Sequence, residues 1–233
     1  MRNVRSWMRR ASCLVFLVGG LVSSSLSAGE AGRPLVLQEM SWSDVRAYLS
    51  TNDMVIIPIG STEQHGPHLP LGTDFFLALE TAKRVSAETG VVVAPVVYAG
   101  YSVYHSGFPG TLSLKPETME EVLYETSEML TRYGFRRILF WNAHGGNRVV
   151  EAKVIHRINH HTPAIAVAIG IGSSFQRDLP ESEDWFDQHG GVDETSMMLF
   201  FHPELVQMER AEKPRIRFTP EMREYLMRGR ENP

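Results

Sequence analysis

The chain has 233 residues, of which 43% are hydrophobic and 21% charged, and its formal net charge is −4. This length and composition fit one domain with a sizeable core, and they exclude collagen-like, low-complexity and disordered proteins. The slightly acidic balance argues against a nucleic-acid binder with a general basic surface. The single cysteine excludes a disulfide framework and a thiolate-rich zinc site.

The N-terminal segment is typical of a secretory signal peptide. Its first ten residues carry four arginines and no acid, and about sixteen mostly apolar or small residues follow, ending before Gly29. This order predicts a signal peptide at residues 1–28 and a periplasmic or secreted protein. A transmembrane anchor is the alternative, but the apolar run is shorter than the roughly 20 residues that a bilayer requires. The Arg9-Arg10 pair leaves the twin-arginine export route open beside the general one.

Cleavage after Ala28 would leave one domain at residues 29–233, with no cysteine, no membrane segment and a charged tail from about Lys213. Buried-type apolar runs alternate with helical patterns along this domain. The predicted strands are 54–60, 91–100, 136–143 and 164–172, and the predicted helices are 43–50, 74–89, 118–133, 148–161 and 194–201. This alternation predicts an α/β fold whose mostly parallel sheet is covered by helices on both faces.

Two loops that follow predicted strands are rich in side chains that can bind metal ions. These side chains are Glu63, His65, His68 and Asp74 in the first loop and His144 in the second. Both loops leave the carboxyl ends of strands, where open α/β sheets place their sites. Carboxylates and imidazoles suit a divalent transition metal, and in a two-metal centre a metal-bound hydroxide attacks a carbonyl that the other ion polarises. Taken singly, each histidine could be only a polar turn residue, and Asp74 only a helix N-cap.

A third polar cluster lies at residues 184–196. His189 precedes two glycines and is a candidate acid or base, and Glu194 at the start of a helix is a candidate ligand. Trp185 would give a substrate pocket a flat apolar wall, unless it packs in the core. Another loop rich in Gly and Pro begins at His105, which is expected to shape the pocket.

These stretches resemble the creatininase (creatinine amidohydrolase) family. The matching sequences are GSTEQHGPHLPLGTD at 60–74, FPGTLSL at 108–114, NAHGGN at 142–147 and HGGVDETS at 189–196. The resemblance implies a three-layer α/β/α domain with two divalent metal ions, which are zinc or, in some members, manganese or iron. It implies hydrolysis of a C–N bond of amide type, often in a small cyclic substrate, by a homo-oligomer that is often a hexamer.

The resemblance also assigns roles to individual residues. The positions that fall on the family's metal ligands are Glu63, His65, Asp74 and His144, with Asp74 at the bridging position. His65 would bind one ion, and Glu63 with His144 would bind the other. His189 and Trp185 match the family's catalytic histidine and tryptophan, and His189 is expected to protonate the leaving nitrogen.

The second loop departs from creatininase itself. Creatininase has an aromatic residue and then a ligand glutamate after the loop histidine, where this chain has Gly145 and Gly146. Glycines allow close backbone approach, so both are predicted substrate contacts. The missing carboxylate is expected to come from Glu194, which is also a predicted catalytic residue. Because the aromatic residue is missing, the resemblance does not carry creatinine over as the substrate.

Different classes of function stay open. A non-catalytic periplasmic binding or scaffold domain would explain the absent glutamate at position 146 and Val192, where related sequences tend to have a glutamate. A two-metal phosphoesterase is a third interpretation, but no phosphate-binding glycine loop or arginine cluster near the ligands supports it. The four matched ligands together with His189 favour a metal-dependent amidohydrolase with a small-molecule substrate and no nucleic-acid partner.

Overall fold

A computed structural model of the chain describes residues 32–171 and 189–212. The predicted signal peptide at 1–28, Trp185 and the predicted tail from Lys213 lie outside the described residues. Among the helices described, none combines the length and the apolar character needed to cross a membrane.

Four parallel strands form the sheet of the described residues. They are β1 Met54–Ile59, β2 Val92–Val93, β3 Arg137–Asn142 and β4 Ile165–Gly170, in the order β2-β1-β3-β4 across the sheet. In the register, Ile59 pairs with Asn142, and Asn142 pairs with Gly170. The strands β1 and β3 therefore end at the same level, and the loops that follow them leave the sheet side by side.

Helices cover both faces of this sheet. They are α1 Trp42–Leu49, α2 Thr73–Thr89, α3 Pro116–Tyr133, α4 Arg148–His161 and α5 Val192–Phe201, and short 3-10 helices lie at Leu37–Glu39, Val103–His105, Gly145–Asn147, Pro203–Leu205 and Met208–Arg210. Side chains alternate along β1: Ile57 packs with residues of α3 and α4, whereas Ile56 packs against Ala82 of α2. Met198 of α5 packs against α2 on the same side. The predicted α/β fold with a parallel sheet between two helical layers is confirmed.

The second strand is much shorter than predicted. The prediction covers residues 91–100, but the regular strand is only Val92–Val93. The N–H of Ala94 still donates to β1, and the next N–H to do so belongs to Val97. Pro95 lies between them, and because its φ is fixed and it has no N–H, the regular alternation is interrupted there.

The first helix begins earlier than predicted. The prediction opens it at Ser43, whereas α1 begins at Trp42. The Ser41 side chain accepts the N–H of Asp44, and the Asp44 carboxylate accepts the N–H of Ser41 in return. This capping box satisfies two N–H groups at the start of the helix, so Ser41 and not Ser43 is the N-cap.

Gly60 lets the start of α2 lie against the end of β1. A β-carbon at this position would lie 2.6 Å from Phe75 Cα and 2.8 Å from Asp74 O, closer than real β-carbons approach other atoms. Because the side chain is absent, the first turn of α2 packs on the end of the strand. Asp74 is thereby brought next to the loop that follows β1.

We expect Gly60→Ala to lower the free energy of unfolding by about 1–3 kcal/mol, because backbone atoms of α2 would have to move away from the added methyl group. Urea denaturation followed by circular dichroism measures the change. Gly107→Ala is the matched control, since a β-carbon there would meet no atom within 4 Å. Equal unfolding midpoints for the two variants would contradict the close packing at Gly60.

Candidate metal centre

Loops from separate parts of the fold meet at the carboxyl edge of the sheet. The side chains they bring together are Glu63 and His65 from the β1–α2 connection, Asp74 from the first turn of α2, His144 after β3, His189 before α5 and Glu194 from the first turn of α5. The parallel register explains the meeting of the first two loops, because β1 and β3 end at the same level. All six were predicted as site residues.

Four of these side chains are almost fully buried. Their exposed fractions are 0% for Glu63 and His65, 1% for Asp74 and 5% for His144. A buried ionised carboxylate is costly unless a positive partner or hydrogen bonds compensate for the lost water. Here two carboxylates lie against two imidazoles, so protons or metal ions can supply the compensating charge.

Asp74 connects two groups of candidate ligand atoms. Its Oδ2 lies 3.1 Å from His144 Nδ1, which is 3.4 Å from Glu63 Oε1. Its Oδ1 lies 3.1 Å from His65 Nε2, which is 3.7 Å from Glu194 Oε1. Within each group, the ligand atoms all lie within 4.8 Å of one another. The structure thus places Asp74 between two adjacent ligand sets, as a bridging carboxylate would lie.

These donor atoms fit divalent cations. Glu63 Oε1 and Asp74 Oδ2 are buried, and neither accepts a hydrogen bond from the described residues. Buried acceptors nearly always have a partner, so both oxygens are suited to face a positive ion. Carboxylate oxygens and imidazole nitrogens are ligands for zinc, and also for manganese or iron.

Backbone carbonyls orient both of the buried imidazoles. The Nδ1–H of His65 donates to Glu63 O at 3.0 Å, and the Nε2–H of His144 donates to Tyr101 O at 3.1 Å. In the neutral rings these bonds leave a free lone pair on Nε2 of His65 and on Nδ1 of His144. Both of those nitrogens face Asp74. Outer partners of this kind fix the ring orientation of histidine ligands.

In the metal-free protein the buried charges shift pKa values strongly. Burial by itself lowers the pKa of His65, but Asp74 and Glu194 outweigh it and hold the pKa well above 6.5. Burial raises the pKa of Asp74, but the positive His65 and His144 bring it below its ordinary value. Burial is also the main cause of the raised pKa of Glu63. The shifts of His65 and Asp74 both favour the charged forms of this pair.

Two further histidines stack beside Glu63. The ring of His189 contacts the rings of His65 and His105, with centroid distances of 4.2 and 4.6 Å. The Nε2–H of His189 donates to Gln64 O, so its Nδ1 faces the cluster, 3.7 Å from Glu63 Oε1. His105 Nδ1 accepts from Gln64 Nε2 at 3.0 Å, and its Nε2 lies 3.5 Å from Glu63 Oε1. Burial and the neighbouring His189 lower the pKa of His105 to about 4, so this ring is neutral.

The two glycines after His144 have different surroundings. Gly145 is exposed, and a β-carbon there would meet no atom within 4 Å. A β-carbon on Gly146 would overlap the Tyr104 hydroxyl and His144 Nε2, which lie 3.0 Å apart. Gly146 therefore makes room for the residues around His144. A contact of either glycine with substrate stays a prediction.

Asn147 is a site residue that the sequence-based prediction omitted. It is fully buried, its Oδ1 accepts the N–H of Tyr101, and its Nδ2 donates to Gly60 O, both at 3.0 Å. The same Nδ2 lies 3.3 Å from Asn142 Oδ1, which accepts the N–H of His144 at 2.9 Å. One side chain thus joins the ends of β1 and β3 to the segment that holds His144. The only indication of Asn147 in the sequence was its place as the last, polar residue of the NAHGGN motif.

Ser61 and Tyr104 also support ligands without having been predicted. Ser61 Oγ donates to Glu63 Oε2 at 3.2 Å, and the Tyr104 hydroxyl lies against His144. No sequence pattern indicates a hydroxyl beside a ligand 40 positions away, because only the tertiary contact brings the two together.

The fold and the ligand set define an α/β protein with a buried carboxylate–histidine centre suited to divalent cations. The chain belongs to the creatininase family, since the family model described as creatinine amidohydrolase matches residues 38–231. This membership agrees with the resemblance of its motifs.

Three relatives are similar to this chain over different shares of their length. It is 33% identical over 180 residues to the 3-dehydro-scyllo-inosose hydrolase of Thermotoga maritima, which covers 74% of this chain and 58% of the relative. It is 39% identical over 160 residues to the mycofactocin precursor peptide peptidase of Mycolicibacterium smegmatis, covering 65% and 59%. It is 30% identical over 202 residues to the creatinine amidohydrolase of Pseudomonas putida, covering 78% of each. The chain thus spans less than two thirds of the length of the first two relatives.

Solved creatininase structures have the same fold. A crystal structure of creatinine amidohydrolase is 29% identical, with a TM-score of 0.72. A creatininase described with Mn is 28% identical with a TM-score of 0.71, and a mutant creatininase of Zn-Zn type is 26% identical with a TM-score of 0.69. Each match covers 81% of both chains. Together with the two ligand groups, these structures support a divalent metal in this protein.

We expect the affinity of the metal-free protein for Zn²⁺ to increase as the pH rises above 6.5. His65 must lose a proton to offer Nε2 to a cation, and its pKa without metal lies well above 6.5. Below that pKa, each proton that the cation must displace should weaken the apparent affinity about tenfold for every unit by which the pH falls. Calorimetric titration in buffers of different ionisation enthalpy measures the protons released. An affinity that is constant between about pH 6 and pH 8 would contradict the protonation of His65.

We expect Gly146→Ala to weaken Zn²⁺ binding by about tenfold or more, because the methyl group displaces either Tyr104 or the ligand His144. Competition with a coloured chelator measures the dissociation constant. Gly145→Ala is the matched control, since a β-carbon at that position meets open space. If both variants bound Zn²⁺ like the unmodified protein, the packing around His144 would not be what holds the ligand.

Proposed function

We propose that this protein is a metal-dependent hydrolase that cleaves a C–N bond of amide type in a small molecule, with cyclic amides among the candidate substrates. It would use two divalent metal ions, with zinc as the first candidate and manganese or iron as the others. The observation that carries the proposal is the position of Asp74, whose two buried oxygens each face a separate ligand group.

The names of the relatives support hydrolysis more than any one substrate, and the peptidase and the amidohydrolase among them act on amide-type bonds. They are a hydrolase of 3-dehydro-scyllo-inosose, a peptidase of a precursor peptide and an amidohydrolase of creatinine. All three relatives are named as hydrolases, but their substrates have little in common. Because Gly145 and Gly146 stand where creatininase has an aromatic residue and a glutamate, creatinine is not proposed as the natural substrate.

Each metal ion would have its own ligands and would share one. The first would be held by Glu63, Asp74 and His144, and the second by His65, Asp74 and Glu194. When bound, such ions activate water and polarise a carbonyl oxygen. Oε2 of Glu194 accepts the N–H of Gly190, so Oε1 is the oxygen that faces the centre. We therefore propose that the main role of Glu194 is to bind metal. Any part that Glu194 plays in catalysis would depend on the metal that it holds.

His189 is suited to deliver a proton to the leaving nitrogen. An amide nitrogen leaves poorly as an anion, so an acid must protonate it as the C–N bond breaks. The Nε2–H of His189 is held by Gln64 O, which leaves Nδ1 as the atom that carries the transferable proton toward the cluster. Stacking on His105 and contact with the tilted ring of His65 hold the ring in this direction.

His105 would line the substrate side of Glu63 as a neutral ring. Gln64 donates to its Nδ1, so its Nε2 carries the hydrogen and points to Glu63 Oε1. This neutral ring lies beside the carboxylate, 3.5 Å from its Oε1, without competing for the proton of His189.

We also propose that the protein is exported and that it forms a homo-oligomer. The basic and apolar N-terminal segment supports export to the periplasm or the exterior after cleavage at Ala28. The family resemblance supports a homo-oligomer, and a hexamer is the form we propose.

We expect Asp74→Asn and His189→Asn to separate metal binding from catalysis. Asp74→Asn should remove most of the bound metal, because Asp74 is the shared ligand. His189→Asn should keep the metal and lower kcat by roughly 10²–10⁴-fold, the usual contribution of a general acid. Metal analysis by mass spectrometry, and turnover on a panel of N-formyl compounds, cyclic amides and short peptides, measure the two effects.

The control variant is His161→Ala, an exposed histidine at the end of α4. It should leave metal content and turnover unchanged. A metal-loaded protein that hydrolyses no member of the panel would favour a binding or scaffold role. Phosphoester substrates in the same panel test the remaining hydrolase class.

A further inference from the structure

His68 is a buried histidine of the β1–α2 connection that belongs to none of the candidate ligand groups among the described residues. Only 9% of its surface is exposed, and its Nε2 is hydrogen-bonded to Thr195 Oγ1 at 3.0 Å. Its carbonyl oxygen accepts the N–H of Gln207 at 2.8 Å. His68 therefore contacts both α5, the helix that carries Glu194, and the segment that follows this helix.

Glu194 is held less closely than the other two members of its ligand group, His65 and Asp74. Its side chain is 22% exposed, whereas His65 and Asp74 are exposed by 0% and 1%. Its Oε1 is 3.7 Å from His65 Nε2, compared with 3.1 Å for Asp74 Oδ1. Gly146, in the loop after His144, offers no carboxylate. The distance of Glu194 from His65 and Asp74 therefore depends on the position of α5.

Thr195 anchors the first turn of α5. Glu194 and Thr195 are successive residues, so their side chains point about 100° apart around the helix axis. A fixed Thr195 therefore fixes the direction in which the side chain of Glu194 leaves the helix, and the N–H of Gly190 then holds its Oε2. Packing of Met198 against α2 holds the helix in place, but apolar contact is non-directional and restricts rotation less than a hydrogen bond does.

We propose that His68 is a positioning residue of the metal centre, which holds Glu194 through Thr195 where it completes the group with His65 and Asp74. This inference rests on the proposed function, since it requires that this group binds a cation. The connection that supplies His65 as a ligand thus also aligns the carboxylate that comes from α5.

The test measures metal affinity rather than turnover. Thr195→Val removes the hydroxyl at nearly constant shape, Thr195→Ser keeps it, and Glu194→Gln removes the ligand itself. Titration of each purified full-length variant with Co²⁺ against a competing chelator gives dissociation constants, and the visible absorption of bound Co²⁺ reports the ligand geometry. Thr126→Val on α3 is the matched control, because the Thr126 hydroxyl donates within its own helix to Val122 O.

We expect Thr195→Val and His68→Ala to weaken Co²⁺ binding by roughly 10- to 100-fold, as loss of an outer partner of a metal ligand does. Thr195→Ser and Thr126→Val should bind like the unmodified protein. In the Glu194→Gln background, Thr195→Val should cause no further loss, because both changes act on the same ligand. A merely structural effect would weaken binding equally in both backgrounds.

Other results overturn the proposal or point elsewhere. Unchanged affinity and spectrum in Thr195→Val, or losses that add in the double variant, would refute the role of His68. Unchanged affinity in Glu194→Gln would refute it as well, because Glu194 would then be no ligand. An unmodified protein that binds no Co²⁺ would contradict the proposed function itself. If His68→Ala does not fold, Thr195→Val decides alone, with its thermal unfolding measured beside that of Thr126→Val.

Discussion

Asp74 is buried to 1% exposure with an imidazole nitrogen 3.1 Å from each of its carboxylate oxygens, and this arrangement constrains everything around it. A charge so far from water needs positive partners, and His65 and His144 provide them as protonated rings or as ligands of bound cations. Asp74 reaches this place because it lies in the first turn of α2, and α2 reaches the end of β1 because Gly60 has no side chain. The backbone packing of one strand and one helix thus determines where the metal centre lies.

The surroundings of the ligands show how a parallel sheet builds a polar site without weakening its core. Each candidate ligand imidazole gives one N–H to a backbone carbonyl, which leaves the other nitrogen for the centre. Asn147 connects the loops after β1 and β3, and Gly146 leaves space for the Tyr104 hydroxyl. These contacts are made at the edge of the sheet, beyond the apolar clusters that pack its two faces. Stability and chemistry are therefore supplied by different parts of the same strands.

Family membership and site geometry both support the proposed hydrolysis, and neither selects a substrate. In the proposed reaction the ligand groups and His189 would act on an amide carbonyl and a leaving nitrogen, which many molecules offer. Selection among these molecules depends on residues beside the ligands, and there this chain has two glycines after His144. The relatives are named for substrates as different as an inosose, a peptide and creatinine.

The sequence by itself determined the α/β class, the strands β1 and β3 and the helices α2 to α4, because periodicity is a local property. It also predicted the candidate site residues, from the polar loops at the strand ends. It predicted too long a β2, since Pro95 interrupts the ladder, and it missed Ser41 as the cap of α1. Only the tertiary structure decided that Asn147 joins two loops and that His68 meets Thr195, 127 positions away. It also supplied the distances that place Asp74 between two ligand groups, a position that the family resemblance had implied. These contacts depend on the register that pairs Ile59 with Asn142 and on the packing of α5 against α2, and neither is encoded in any short stretch of the chain.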